Sequence, residues 1–211
     1  MTQNELDRTA GKHLEFLWTT VAGCGEPAGE RADLSWQNLK GLNLTHKDFS
    51  FAILKEADLS GAVAEKASFY GAQMQGATFR GCDLRDADLL CTDLKGSDLR
   101  GADLRGACLD GANLAFANLS GADLSGASLE GTYLEVDGEG FDWHSLVKTA
   151  GIEITVRTEE INSNELPPAL TKMAGANLAG AKFKDTDIVV VVMQKRRGGG
   201  RRSKKVTSKS V

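Results

Sequence analysis

Few residues of this 211-residue chain combine the types and spacing that chemistry requires. Asp142, His144 and Ser145 come nearest, an acid, a base and a nucleophile within four positions. Nucleophilic catalysis would need all three to converge, with the base in hydrogen-bond reach of the hydroxyl. They lie in FDWHSLVKTAG, which reads as a short helix capped by Asp142 and stopped at Gly151. Helix neighbours one and two apart point in different directions, so the segment reads as a cap plus two solvated polar residues. His13 and His46 are far apart and show no metal-ligand spacing. Cys24, Cys82, Cys91 and Cys108 form no C-x-x-C pair and read as reduced thiols serving as small fillers. Gly101 and Gly106 imitate the start of a phosphate loop, but no G-K-[ST] follows. The expectation is a non-enzymatic chain with no catalytic residue, no cofactor and no metal.

What surrounds these residues is a repeat. From Leu34 to Leu134 every fifth position is Leu or Phe, Ala64 and Met74 excepted, over 21 units. Two residues before each comes a small residue, mostly Ala. Two residues after, Gly dominates, as at Gly96, Gly101, Gly106 and Gly111. A period of five fits neither a helix nor a flat strand. The chain must turn once per unit, with one large and one small residue inward and Gly relieving the corner. Four corners close a square coil of 20 residues, and stacked coils bond at the strand spacing, roughly 4.8 Å.

The pattern A-(D/N)-L-x-x, unbroken from Ala32 to Glu135, resembles the pentapeptide repeat family. That resemblance implies an all-β solenoid, a right-handed quadrilateral β-helix, here just over five coils and about 25 Å long at the strand spacing. Around it the sequence divides into an N-terminal capping helix and linker (1–30), the β-helix (31–135), a small non-repeat α/β insertion (136–171), a final coil (172–193) and a disordered basic tail (194–211). Thr2 and Glu5 form a capping-box pattern, and Leu6, Ala10, Leu14, Leu17 and Val21 follow at helical spacing. This helix should lie over the first coil, with Trp18 part of the lid, because an open end exposes unpaired strand groups. Within the insertion, IEITVR alternates like a strand. Repeat-like units resume in a shifted register at Met173, Leu178, Phe183 and Ile188. The apolar run Ile188 to Met193 should complete or cap the last coil, or pair with another subunit as a homodimer.

Charge is divided unevenly. Residues 1–193 carry a net −12 and residues 194–211 a net +8. The tail cations Lys195, Arg196, Arg197, Arg201, Arg202, Lys204 and Lys205 could contact nucleic acid or another polyanion, or could neutralise the body itself. On the coil, Arg85, Lys95, Arg100 and Arg105 follow Asp83, Asp93, Asp98 and Asp103 by two residues and should pair with them. One side has few cations and holds Asp48, Tyr70, Asp88, Leu90, Asp110 and Glu130, the expected partner-binding face. The function expected is a non-enzymatic protein-binding scaffold. The alternative, implied by the resemblance, is a duplex-DNA mimic that modulates type II topoisomerase, as in quinolone resistance. No apolar run approaches the roughly 20 residues of a membrane span, and the N-terminus does not read as a signal peptide. A cytoplasmic location is expected, or a nuclear one if the source is eukaryotic.

Overall fold

Every fifth residue from Trp36 to Gly131 has left-handed backbone, with φ between 55° and 72°. Twelve of these twenty corners are Gly; the other eight are Trp36, His46, Phe51, Glu56, Lys66, Asp86, Cys91 and Phe116. The repeated kink turns the chain once per unit. Four turns bring residue i back over residue i + 20, in an unbroken series of parallel bridges from Asp33↔Ile53 to Asn113↔Tyr133. The computed structural model describes residues 1–21, 23, 28–137, 154–161, 176–177 and 187–195.

Each side of the square is only one bridged residue wide, so the coil is a stack of isolated bridges rather than of extended strands. The ladder is nonetheless continuous: Leu34 donates its amide to the Ile53 carbonyl at 2.7 Å, and Ile53 donates back to Ala32 at 2.9 Å. A third bond closes each corner, as when Ala57 donates to the Leu54 carbonyl at 3.1 Å. The expected large and small residues line the interior. Leu34 through Leu129 are buried at every fifth position, Ala64 and Met74 included, with Ala, Cys82, Thr92, Ser97 and Thr132 filling the small sites. Phe49 and Phe69 stack along the axis, centroids 6.2 Å apart.

The first coil breaks the small-residue rule at Gln37, Leu42 and Lys47, where no coil lies beneath. Helix α1 (Gln3–Phe16) lies there instead, opened by the Thr2–Glu5 capping box, and it buries Leu6, Ala10 and His13. Its side chains stand in for the missing coil. The Met1 amine donates to the Asn38 carbonyl at 3.2 Å, and Gln3 donates to the Asn43 carbonyl at 2.9 Å while accepting the Asn43 amide at 2.8 Å. Asp7 pairs with Lys47 at 2.7 Å. A π-helical turn, Leu17–Val21, ends the lid; Trp18 stands on it exposed rather than packed inward.

At the other end, β1 (Tyr133–Asp137), β2 (Ile154–Ile161) and β3 (Asp187–Lys195) form a parallel sheet in the order β1-β3-β2. Tyr133 still bridges Asn113, so this sheet continues one side of the coil. The repeat resumes in register after the insertion. Asn177 bridges Asp123, taking the place residue 143 would hold, and Asp187 pairs with Tyr133, taking the place of residue 153, an offset of 34 in both cases. Asn177 and Asp187 each come one residue before an expected repeat position, Leu178 and Ile188, as Asp33 comes before Leu34. The strand foreseen in the insertion is β2, but it does not belong to a separate small unit: it pairs with β3 and extends the coil's own sheet. β3, whose apolar run needed a partner, has one on each side within the chain. The strand continues to Lys195, two residues past the expected end of the coil. The FDWHSLVKTAG helix, with Asp142, His144 and Ser145, lies outside the described residues, as do Met173, Leu178 and Phe183.

Candidate partner-binding face

The residue before each inward Leu or Phe does local work. A corner leaves the amide just after the inward residue without a backbone partner, and the Asp or Asn two positions back accepts it. Asp33 accepts the Ser35 amide at 3.0 Å, Asn43 that of Thr45 at 2.9 Å and Asp88 that of Leu90 at 3.0 Å. This side-chain-to-backbone turn is why short polar Asp and Asn suit the position. These acids are structural first, a role that a charge count along the sequence does not show.

On two sides the second carboxylate oxygen is taken by arginine. Arg85 forks onto Asp83 at 2.8 and 2.7 Å, Arg100 onto Asp98 at 2.8 and 2.5 Å, and Arg105 onto Asp103 at 2.8 and 2.6 Å. The expected pairing therefore forms, in the two-pronged geometry that suits guanidinium and carboxylate. Arg85 also reaches Glu65 on the preceding coil at 3.0 Å. The arginines hold the carboxyls of Asp83, Asp98 and Asp103 below their ordinary range. The fourth pair does not form this way: Asp93 accepts the Lys95 amide and is bonded by Gln75 at 2.6 Å, while the Lys95 ammonium lies 5.3 Å from the Phe116 ring centroid.

A third side differs. The ladder Asp48, Ser68, Asp88, Cys108, Ser128 is bridged step by step. Beside it, Tyr70, Leu90, Asp110 and Glu130 are joined to the adjacent coil by their carbonyls. The six residues singled out from sequence, Asp48, Tyr70, Asp88, Leu90, Asp110 and Glu130, do share one face, each half-buried. Among the described residues none of its four acids meets a Lys or Arg within ion-pair distance. Asp48 is occupied by the Ser50 amide at 2.9 Å and hydroxyl at 2.5 Å. Asp110 accepts the Glu130 amide from the next coil at 2.8 Å. Tyr70 meets Phe51 edge-on at 5.1 Å, giving the face an aromatic margin.

Other candidates are dispersed. His46 stands exposed on a corner, while His13 is buried under the lid. Among the described cysteines Cys82 alone acts as the expected filler, its thiol pushed up to about 12 by burial. Cys91 is exposed on a corner and Cys108 is half-buried on the acidic face. Cys24 lies outside the described residues. Among the described residues no three His, Cys, Asp or Glu side chains converge to hold a metal ion, and no helix is long and apolar enough to cross a membrane. Of the tail cations, Lys195 ends β3, and Arg196, Arg197, Arg201, Arg202, Lys204 and Lys205 lie outside the described residues.

The sequence matches the family of pentapeptide repeats in eight copies, over residues 30–63, 48–81, 79–115 and 97–135. No functionally curated protein matches the chain. Similar solved structures include HetL, a pentapeptide repeat protein involved in heterocyst differentiation regulation from the cyanobacterium Nostoc. It is 33% identical over 75% of this chain and 70% of its own, with a TM-score of 0.35. A pentapeptide repeat protein of the Arabidopsis thaliana thylakoid lumen is 34% identical over 51% of this chain and 68% of its own, TM-score 0.23. QnrB1, a plasmid-mediated fluoroquinolone resistance protein, is 21% identical over 74% and 86%, TM-score 0.32. The 20-residue ladder, the left-handed corners and the match across residues 30–135 establish that this chain belongs to the pentapeptide repeat family, whose quadrilateral β-helix is the four-sided coil described above.

Proposed function

We propose that this protein is a non-enzymatic protein-binding scaffold whose partner docks on the face of Asp48, Tyr70, Asp88, Leu90, Asp110 and Glu130. One contrast carries the reading: arginine forks neutralise the acids of two sides, whereas the four acids of this side have no cationic partner among the described residues. Four unneutralised carboxylates on one face with Tyr70 and Leu90 suit a cationic protein surface with an apolar centre. The test is a quantitative pull-down comparing wild type with Asp88→Asn/Asp110→Asn/Glu130→Gln. A partner retained equally by both would refute the face. The basic tail from Lys195 onward is proposed to add a salt-sensitive polyanion contact, read by repeating the capture with nuclease and without residues 194–211. A cytoplasmic location belongs to the same reading and is tested by cell fractionation.

The second reading is a DNA mimic acting on type II topoisomerase, with a homodimer through the C-terminal coil lengthening the surface. The acidic face favours it; Arg85, Arg100 and Arg105 interrupt the anionic surface elsewhere and weigh against it. Inhibition of supercoiling by residues 1–193 at concentrations near the enzyme's would favour this reading over the scaffold.

A further inference from the structure

One lid contact depends on a group that cannot keep both of its hydrogen bonds once it takes a proton. His13 is fully buried. Its Nδ1 accepts the Ala32 amide at 3.1 Å, and its Nε2 lies 2.9 Å from the Ser50 carbonyl oxygen. An amide N–H cannot accept and a carbonyl cannot donate, so the two contacts together fix the neutral imidazole with its proton on Nε2. The ring is stacked between Phe16 and Phe49, with centroids 5.7 and 6.0 Å away. Two charged groups of the first coil act on it: Asp48 favours the imidazolium and Arg31 opposes it. Burial, the largest influence, outweighs the Ser50 carbonyl, which favours the charged ring, and holds the His13 pKa below its ordinary range. The Gln3–Asn43 and Asp7–Lys47 contacts change little between pH 7.5 and 5.5, since Gln3 does not titrate and Lys47 and Gln3 hold the Asp7 carboxyl low.

We propose that His13 is a proton-sensitive latch for the N-terminal lid. Protonation would set an imidazolium N–H on Nδ1 against the Ala32 N–H, two donors face to face. The bond would be lost, and α1 would release the first coil. The Asn38, Asn43 and Ser50 carbonyls, which the lid now satisfies, would then be free. This inference concerns the lid and does not rest on the scaffold reading.

A released histidine titrates near its ordinary value, about 6.5, so lid opening should rise by up to about tenfold between pH 7.5 and 5.5. The test uses the full chain and His13→Gln, whose amide can donate to Ser50 and accept from Ala32 but takes no proton. Hydrogen exchange of the α1 amides, corrected for intrinsic rates, should show protection falling about tenfold at pH 5.5 in wild type and staying level in the variant. Amides of the coil from residue 52 onward should be unaffected in both. An NMR titration of the wild-type His13 ring gives a second measurement that needs no variant, and should place its titration below 6.5 with the proton on Nε2 at neutral pH. Equal loss of protection in wild type and variant, no loss in wild type, or titration at or above the ordinary value would each overturn the latch.

Discussion

The Asp88 carboxylate accepts the Leu90 amide at 3.0 Å, two residues along the same turn, while making no ion pair among the described residues. One oxygen thus serves the fold, and no cation among the described residues neutralises the charge. Asn preserves the acceptor, Ala removes it. Asp88→Asn should therefore leave the urea midpoint near wild type, whereas Asp88→Ala should cost about 0.5–1.5 kcal/mol for the lost hydrogen bond. Equal midpoints would show that the turn does not need its acceptor. Partner capture should fall in both, since both remove the charge.

Leu104 is fully buried, and Arg105, next to it in sequence, is exposed. Leu104→Ala should cost about 2–5 kcal/mol through the cavity it leaves between neighbouring coils. Arg105→Gln should move the urea midpoint little, because its fork onto Asp103 is solvated. Similar losses from the two changes would contradict the inward and outward assignment.

Corners can be tested by exchange of residue type. Lys66 holds a φ of 55° with a side chain, whereas Gly101 holds 64° without one. Lys66→Gly should relieve left-handed strain and stabilise by up to about 1 kcal/mol, partly offset by the greater freedom of Gly in the unfolded chain. Gly101→Ala should destabilise by a similar amount through backbone strain alone, because nothing lies within 4 Å of the added methyl. Thermal melts of both variants read the signs; a destabilising Lys66→Gly would rule out corner strain as the dominant effect.

Acid should act on the forks separately from the lid. Asp83, Asp98 and Asp103 have folded-state values below the ordinary 3.8, so the unfolded chain takes up protons first as pH falls. Their contribution is fully present above about pH 4 and is lost as pH falls through the lowered values. Urea melts between pH 5 and 3 should show this loss, and Arg100→Gln should reduce its slope. High salt should flatten it as well, because the forks are partly exposed. An unchanged slope in Arg100→Gln would show that Arg100 does not hold the Asp98 carboxyl low.

Cutting away residues 1–25 should leave the coil folded but with its first edge bare. The Asn38, Asn43 and Ser50 carbonyls lose their partners, and Leu6 no longer covers the core. Sedimentation should show self-association that the full chain lacks, as expected for an open edge. A monomer of equal stability would show that the lid is dispensable.

The repeat was legible because each unit solves the same local problem. The five-residue period, the inward Leu and Phe, the small partner and the corner Gly depend on residues within one unit, so sequence alone determined the coil, its 20-residue turn and the capping box of Thr2 and Glu5. It also placed Asp48, Tyr70, Asp88, Leu90, Asp110 and Glu130 on one side, since a fixed turn converts sequence spacing into a face. Other relationships join residues whose separation carries no period. His13 reaches Ser50 and Ala32 across 37 and 19 positions, and no pattern in the chain announces that its ring would replace a missing rung. β2 lies outside β3 although it precedes it in the chain, because the pairing of Tyr133 with Asp187 restores the repeat register and leaves the inserted strand only the outer edge. Which of the spaced pairs closes was likewise a tertiary decision: Arg100 follows Asp98 and Lys95 follows Asp93 by the same two residues, but only the first pair forks, because the Lys95 ammonium lies over the Phe116 ring of the next coil at 5.3 Å and Gln75 bonds Asp93 instead.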